Sequence, residues 1–207
     1  TLVVGGVEGA TRAQMIVNNS PTDPIELGSN GTGSGGVLSG GLLDIAGTLQ
    51  LGKNPGGNGA LSMAIVSGAD SATTRIGGDL KIARNDVAGT AGGTGLFSLL
   101  SGGLGDVAGT TYTFDPDGSD GELELREGAR FETGSLVMAD PAAELDFTGG
   151  LLQVRGGTLD PGGQPLVLNS VTGTPTLELL DGAQANLGSA SGPTLNVGET
   201  GAATLRV

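Results

Sequence analysis

Residues 49–61 and 80–97, which read LQLGKNPGGNGAL and LKIARNDVAGTAGGTGLF, decide the fold class. With an offset of 31 the two stretches match at Leu49 with Leu80, Leu51 with Ile82, Lys53 with Arg84 and Asn54 with Asn85. After a five-residue insertion the match resumes at Gly59 with Gly95 and at Leu61 with Phe97. Strand cores that repeat while the spacing between them varies indicate stacked coils with outward bulges of different length.

The unit that recurs along the chain is a short apolar-x-apolar strand followed by Gly or a small polar turn. Alternation over so few residues is typical of short strands with one buried face, and the Gly-rich turns supply positive φ angles. The clearest copies begin at Leu49, Leu80, Leu123, Leu177 and Leu195. Two further similarities are LELREGARFE at 123 with LELLDGAQAN at 177, and the closing TLNVGETGAATLRV with the opening TLVVGGVEGATRAQMIV.

A strand of three or four residues cannot bury its apolar face alone, but equivalent strands of successive coils can stack around one aliphatic core. We therefore predict an all-β fold, a single-stranded parallel β-helix (β-solenoid) in which residues 1–207 form one domain or a segment of a longer solenoid. At roughly 20 residues per coil, this gives about ten coils and a rod on the order of 50 Å long. With only 4 Phe, 1 Tyr and no Trp, the core should be narrow and aliphatic.

The repeat resembles the Gly-rich repeats of autotransporter passenger domains and those associated with exported PEP-CTERM proteins. The matching residues are Leu195, Val197, Gly198, Gly201, Leu205 and Val207, and also Leu49, Leu51, Gly52, Gly59, Leu61, Ser67 and Gly68. Residues 80–103 form a looser third copy, whereas residues 104–175 depart from the pattern in spacing. The resemblance implies a right-handed parallel β-helix, secreted or displayed at a bacterial surface, and it implies no particular activity.

Composition removes several classes of chemistry. The chain has no His and no Cys, so it has no Ser-His-Asp or Cys-His nucleophile, no ordinary zinc site and no disulfide. Its net charge of -13 argues against nucleic acid as a partner. No apolar run approaches the roughly 20 residues that span a bilayer, so we expect no membrane insertion in this segment.

The local motif that most specifically suggests a binding site is DPDGSDGELE, which contains Asp115, Asp117 and Asp120. Oxygen ligands at alternate positions in a Gly-containing loop are those that Ca²⁺ selects, so these three residues are a candidate calcium site. The loop lacks the Gly and the terminal Glu of an EF-hand in their usual places, which favours a solvated acidic turn. We expect no other cofactor.

An acidic surface is expected around this motif, because residues 115–146 contain ten carboxylates and only Arg126 and Arg130 as cations. One interpretation is contact between rods, or with a matrix, through divalent ions. The other, which we favour, is that the charge keeps a Gly- and Thr-rich chain soluble.

A carbohydrate-binding or carbohydrate-cleaving β-helix, similar to a phage tailspike or a lyase, is the alternative to a structural function. Such enzymes need carboxylates close together on one sheet, and Glu124, Glu127, Arg126 and Arg130 are the residues that could supply them. The aromatic residues are too scattered to line a sugar-binding groove. We therefore predict that the chain is not an enzyme.

The two ends of the sequence are strand-like, with TLVV at Thr1 and ATLRV ending at Val207. Uncovered solenoid ends expose unpaired strand edges that act as templates for another chain. We expect head-to-tail stacking on copies of itself or on flanking coils of a longer solenoid, in an extracellular stalk, sheath, filament or adhesin of a bacterium. Surface polysaccharide is a further candidate partner.

Overall fold

The computed structural model describes most of the chain, and in the described ranges it contains strands and turns but no helix. Those ranges are 1–4, 13–20, 22–65, 71–84, 92–113, 119–138, 144–168, 170, 173–187, 195–198 and 201–207. The strands are β1 (Leu2–Val4), β2 (Gln14–Val17), β3 (Ile25–Leu27), β4 (Thr32–Leu38), β5 (Leu42–Ile45), β6 (Leu49–Leu51), β7 (Asn58–Ala64), β8 (Ala72–Ile76), β9 (Leu80–Ile82), β10 (Thr94–Leu99), β11 (Gly103–Thr113), β12 (Asp120–Leu125), β13 (Arg130–Met138), β14 (Glu144–Phe147), β15 (Leu151–Arg155), β16 (Thr158–Asp160), β17 (Leu166–Leu168), β18 (Thr176–Leu180), β19 (Gln184–Ala185), β20 (Leu195–Val197) and β21 (Thr204–Arg206).

The strands stack in three columns, and the pairings between them are parallel. Column 1 is the six-stranded sheet β1-β4-β7-β10-β12-β14, with β17 and β20 forming a separate pair. Column 2 is the path β2-β5-β8-β11-β13-β15-β18-β21 of a thirteen-stranded sheet. Column 3, part of the same sheet, contains β3, β6, β9, β16, β19 and the C-terminal parts of β11 and β13.

The chain visits columns 1, 2 and 3 in that order, and we call one such pass a rung. Rung 1 is β1 to β3 and rung 2 is β4 to β6; rungs 4 and 5 each contain one long strand, β11 or β13, that serves columns 2 and 3. Seven rungs have all three columns, and the eighth consists of β20 and β21. The described chain therefore has the all-β architecture of stacked parallel strands that the sequence predicted.

The register that the sequence predicted for the deciding stretch is confirmed. Leu49 pairs with Leu80 and Leu51 with Ile82 in column 3. In column 1, Gly59 pairs with Gly95, and Leu61 with Phe97. Both registers hold although the chain between Ile82 and Thr94 is five residues longer than the chain between Leu51 and Asn58.

The similarity between residues 123–132 and 177–186 does not extend to their places in the stack. Leu123 lies in column 1 on β12, whereas Leu177 lies in column 2 on β18, so the two LEL stretches are not equivalent in the stack. They share a local strand-plus-turn motif instead, closed by the amides of Ala129 and Ala183, each of which bonds to the carbonyl three residues earlier.

The sequence-based estimate of about ten coils is too high, because each rung uses more than the roughly 20 residues assumed for a coil. Phe97 pairs with Leu61, 36 residues before it, and Leu123 pairs with Leu145, 22 residues after it. Bulges between columns account for the difference, and the described chain forms eight rungs.

The core lies between the three columns and is mainly aliphatic, as expected. Leu61, Leu99 and Leu123 are fully buried. The rings of Phe97 and Phe131 are also buried and meet with centroids 5.7 Å apart and an interplanar angle of 56°. Gly105 makes room for this pair, because a Cβ there would lie 2.7 Å from Cδ2 of Phe131.

Tight turns join columns 1 and 2. The amides of Gly41, Gly103 and Ala129 bond to the carbonyls of Leu38, Leu100 and Arg126 at 2.8, 2.8 and 3.0 Å. The residue before each of these amides is a Gly with φ between +69° and +78°. Ser67 and Gly68, which belong to the same repeat pattern, lie outside the described residues.

Candidate functional surfaces

The proposed calcium ligands are described only in part. Asp115 and Asp117 lie outside the described residues, and Asp120 is an exposed residue at the start of β12, paired in register with Thr94. In the part of the chain that the structure describes, no group of three or more carboxylates is arranged to hold a metal ion. Calcium binding at this loop stays a prediction from the sequence.

The four residues considered for catalysis do not form one group. Arg126 forms an ion pair with Glu124 on the outer surface of column 1, and its Nε lies 2.6 Å from Glu124 Oε1. Arg130 belongs to column 2, where its Nε donates to Gln153 Oε1 at 3.0 Å. Glu127 lies in the turn that joins the two columns.

An acidic surface does form, on the outer side of column 1. We call Glu122, Glu124, Glu144 and Asp146 the acidic face; the first two lie on β12 and the last two on β14. The strand register places Glu122 beside Glu144 and Glu124 beside Asp146. Arg126 is the cation that contacts this face, with its NH2 2.8 Å from Asp146 Oδ2 and its NH1 2.9 Å from Thr148 Oγ1.

The charge of the acidic face is unevenly compensated. Arg126 serves the pair Glu124 and Asp146, and Ser98 Oγ also donates to Glu124. Burial raises the pKa of Glu122, and the neighbouring carboxylates of Glu124, Glu144 and Asp146 raise it further.

A second polar array, not visible in the sequence, runs along the outer side of column 2. We call it the polar ladder; its members, in register, are Asp44, Arg75, Asp106, Glu132, Gln153, Glu178 and Arg206. These residues come from seven strands separated by bulges of different length. Only the register brings them into one line, so a single sequence gives no signal for the array.

The C-terminal part of the polar ladder is connected by hydrogen bonds and ion pairs. Gln153 Nε2 donates to Glu178 Oε2 at 2.6 Å, and Arg206 NH1 lies 2.5 Å from Glu178 Oε1. The hydrogen bonds from Arg206 and then from Gln153 lower the pKa of Glu178. Arg155 extends the network sideways, pairing with Glu132 and, at 3.2 Å, with Asp181.

The N-terminal part of the polar ladder differs. A shallow hollow crosses it, lined by Thr73, Arg75, Leu104, Gly105, Asp106, Arg130 and Glu132. Arg75 and Asp106 are exposed and are neighbours in register, but no side-chain hydrogen bond or ion pair joins either to another described residue. The hollow thus presents a guanidinium and a carboxylate without an aromatic ring in its lining.

Both ends of the stack present strand edges with one partner each. Among the described residues, β1, β2 and β3 of the first rung pair only with β4, β5 and β6, and β19, β20 and β21 of the last rungs pair only with β16, β17 and β18. Exposed large apolar side chains lie near these ends: Val3 is 61% exposed, Ile16 57% and Val197 41%. Among the described residues, rungs 3 to 6 have none.

Comparison with known proteins gives no assignment: no protein-family model, no curated protein and no solved structure matches the chain. None of the described segments is a helix of the length and apolarity that a membrane span requires.

Proposed function

We propose that the chain is a right-handed parallel β-helix that serves as a structural or adhesive element outside a bacterial cell, as part of a stalk, sheath, filament or adhesin. The fixed order of columns supports a helical winding, and parallel strands joined by crossover connections are almost always right-handed. Extracellular location rests on the resemblance of the repeats to autotransporter passenger and PEP-CTERM-associated sequences. Function then resides in the length and surface of the stack.

The observation that carries the structural role is the pair of strand edges at the two ends of the described stack. Within the described residues, three parallel strands at each end are paired on one side, and parallel edges in register can accept another rung, either a flanking coil of a longer solenoid or a coil of a second copy. Met15 and Val197 are exposed although they are in register with the buried Leu43 and Leu168, and such a rung would cover them. A second copy stacked head to tail supplies that rung and, because the contact does not close, extends into a filament.

The test is concentration-dependent assembly followed by light scattering and electron microscopy. We expect fibres whose axial repeat is close to the length of one chain. Met15→Lys, which places a charge on the inward side of the first edge, should abolish them. Leu38→Lys is the matched control, because Leu38 is 36% exposed but lies on rung 2, which is already covered on both sides. A monodisperse monomer at every concentration would contradict self-stacking.

Carbohydrate binding is the second candidate function, and the hollow on the polar ladder is the observation that favours it. Arg75 supplies donors and Asp106 acceptors for sugar hydroxyls, with Leu104 as an apolar contact. Affinity electrophoresis in gels containing neutral polysaccharides distinguishes the two functions, since only a sugar-binding chain is retarded in a manner that Arg75→Ala removes.

A further inference from the structure

The strand β14 is an edge in the middle of the stack. On one side it pairs with β12, and the six-stranded sheet of column 1 ends there. The next strand of this column, β17, pairs only with β20 in the described chain. Column 2 has no such interruption, because β15 pairs with both β13 and β18. Within column 1 of the described chain, the strand pairing that keeps β14 in place is therefore its junction with β12.

That junction brings like charges together. Glu122 lies beside Glu144, and Glu124 beside Asp146, at the spacing of neighbouring strands, roughly 4.8 Å. Like charges placed directly opposite each other on neighbouring strands destabilise the pairing. Apolar contact opposes this effect, since Leu123 and Leu125 pair with Leu145 and Phe147 on the inner side.

The two like-charge pairs are not equivalent. Arg126 contacts Glu124 and Asp146 directly, so one cation offsets the second pair. Within the described ranges, neither Glu122 nor Glu144 makes a side-chain hydrogen bond or ion pair. The charged groups that face Glu122 are Glu124 on its own strand, Glu144 and Asp146 on β14, and Arg126 in the turn; on the side of β10 its register partner is the uncharged Leu96.

Protonation relieves the uncompensated pair. Because the pKa of Glu122 is raised by burial and by its carboxylate neighbours, this carboxyl takes up a proton at a higher pH in the folded chain than in the unfolded one. The repulsion is therefore present at neutral pH and is lost as the pH falls through the raised pKa of Glu122.

We propose that the pair Glu122 and Glu144 makes the β12–β14 junction a pH-sensitive joint of the stack, looser at neutral pH and tighter in mild acid. When one carboxyl of the pair is protonated, it can donate a hydrogen bond to the other, so repulsion is replaced by attraction. The joint is independent of the proposed extracellular function, since it concerns the interior of one chain.

Hydrogen exchange of the backbone amides of residues 144–148 tests the proposal. Protection factors, which correct for the intrinsic pH dependence of exchange, are measured by NMR on the full chain at pH 7 and pH 5. We expect wild-type protection to rise by about twofold to fivefold on acidification. Glu122→Gln should give the higher protection already at pH 7 and remove the pH dependence, and Glu144→Gln, at an exposed position, should do the same.

The matched control is Glu132→Gln, which removes the same charge from the same rung on column 2, where Glu132 is paired with Arg130 and Arg155. It should leave the protection of residues 144–148 and its pH dependence unchanged. Protection that stays constant or falls on acidification in the wild-type chain would overturn the proposal. So would equal effects of Glu122→Gln and Glu132→Gln, which would assign the change to net charge alone.

Discussion

Buried threonine hydroxyls distinguish this core from a purely aliphatic one. Thr111 and Thr133 satisfy each other, with their Oγ1 atoms 2.9 Å apart, and Thr133 also donates to the carbonyl of Ser135 at 2.8 Å. Thr74 is equally buried, between Leu43 and Gly105 in register, but its Oγ1 has no hydrogen-bond partner. A buried hydroxyl without a partner lowers the stability of the fold.

We expect Thr74→Val to raise the free energy of unfolding by about 1 kcal/mol, because the substitution keeps the shape and removes the unsatisfied hydroxyl. Urea denaturation followed by circular dichroism measures the change. Thr133→Val is the control and should lower stability, since it leaves the hydroxyl of Thr111 without its partner. Loss of stability in both variants would show that Thr74 has a partner in solution.

Glycines at the corners of the stack also have their effect as single residues. Gly52 has φ of +63°, and a Cβ there would lie 1.9 Å from the carbonyl oxygen of Thr94 at the start of β10. Both the backbone conformation and the close approach of this carbonyl exclude a side chain at this position. Such glycines are recognisable in the sequence as turn residues, but which atom approaches them is known only once the rungs are stacked.

At the level of elements, the sequence predicts the strands that resemble each other and occupy the same column. The register of β6 with β9 and of β7 with β10 follows from matched letters on either side of an insertion. The same reasoning fails for β12 and β18, because a strand followed by a tight Gly turn occurs at more than one corner of the stack. Local similarity identifies a rung segment but does not identify its column.

The polar ladder could not be predicted for a related reason. Gln153, Glu178 and Arg206 are separated by 25 and 28 residues, and the intervening loops differ in length. Each strand of column 2 has more than one outward-facing residue, and only the register between strands decides which of these residues become neighbours. The acidic face, by contrast, was predictable as a composition bias, although its pairing of like charges was not.

We expect Glu178→Gln to lower the melting temperature at pH 7, because it weakens the bonds of this residue to Arg206 and Gln153. The pKa of Glu178 is lowered in the fold, so its contribution is present above the ordinary glutamate value and is lost as the pH falls through the lowered pKa. Thermal melts over a series of pH values from 7 downward check this, and the difference between the two chains should shrink as the pH falls through the lowered pKa. A difference of the same size at every pH would contradict the assignment.

On the scale of the whole molecule, the described chain stacks its rungs in three columns and presents a long polar surface. The columns differ in what they present: an acidic face on column 1 and a polar ladder on column 2. A stack of this kind grows by adding rungs without changing the core, which is the property that a stalk or filament requires.

The central claim is that rungs separated by irregular loops stack in parallel register, and disulfide trapping tests it most directly. The chain has no Cys, so a Ser62→Cys, Ser98→Cys double variant contains one pair, placed in register on neighbouring strands of column 1. Neighbouring strands lie about 4.8 Å apart, within the Cα separation that a disulfide spans. A Ser62→Cys, Thr94→Cys variant, four residues out of register, is the control. We predict rapid intramolecular oxidation of the first variant and little of the second; equal oxidation of both, or of neither, would contradict the stacked parallel arrangement.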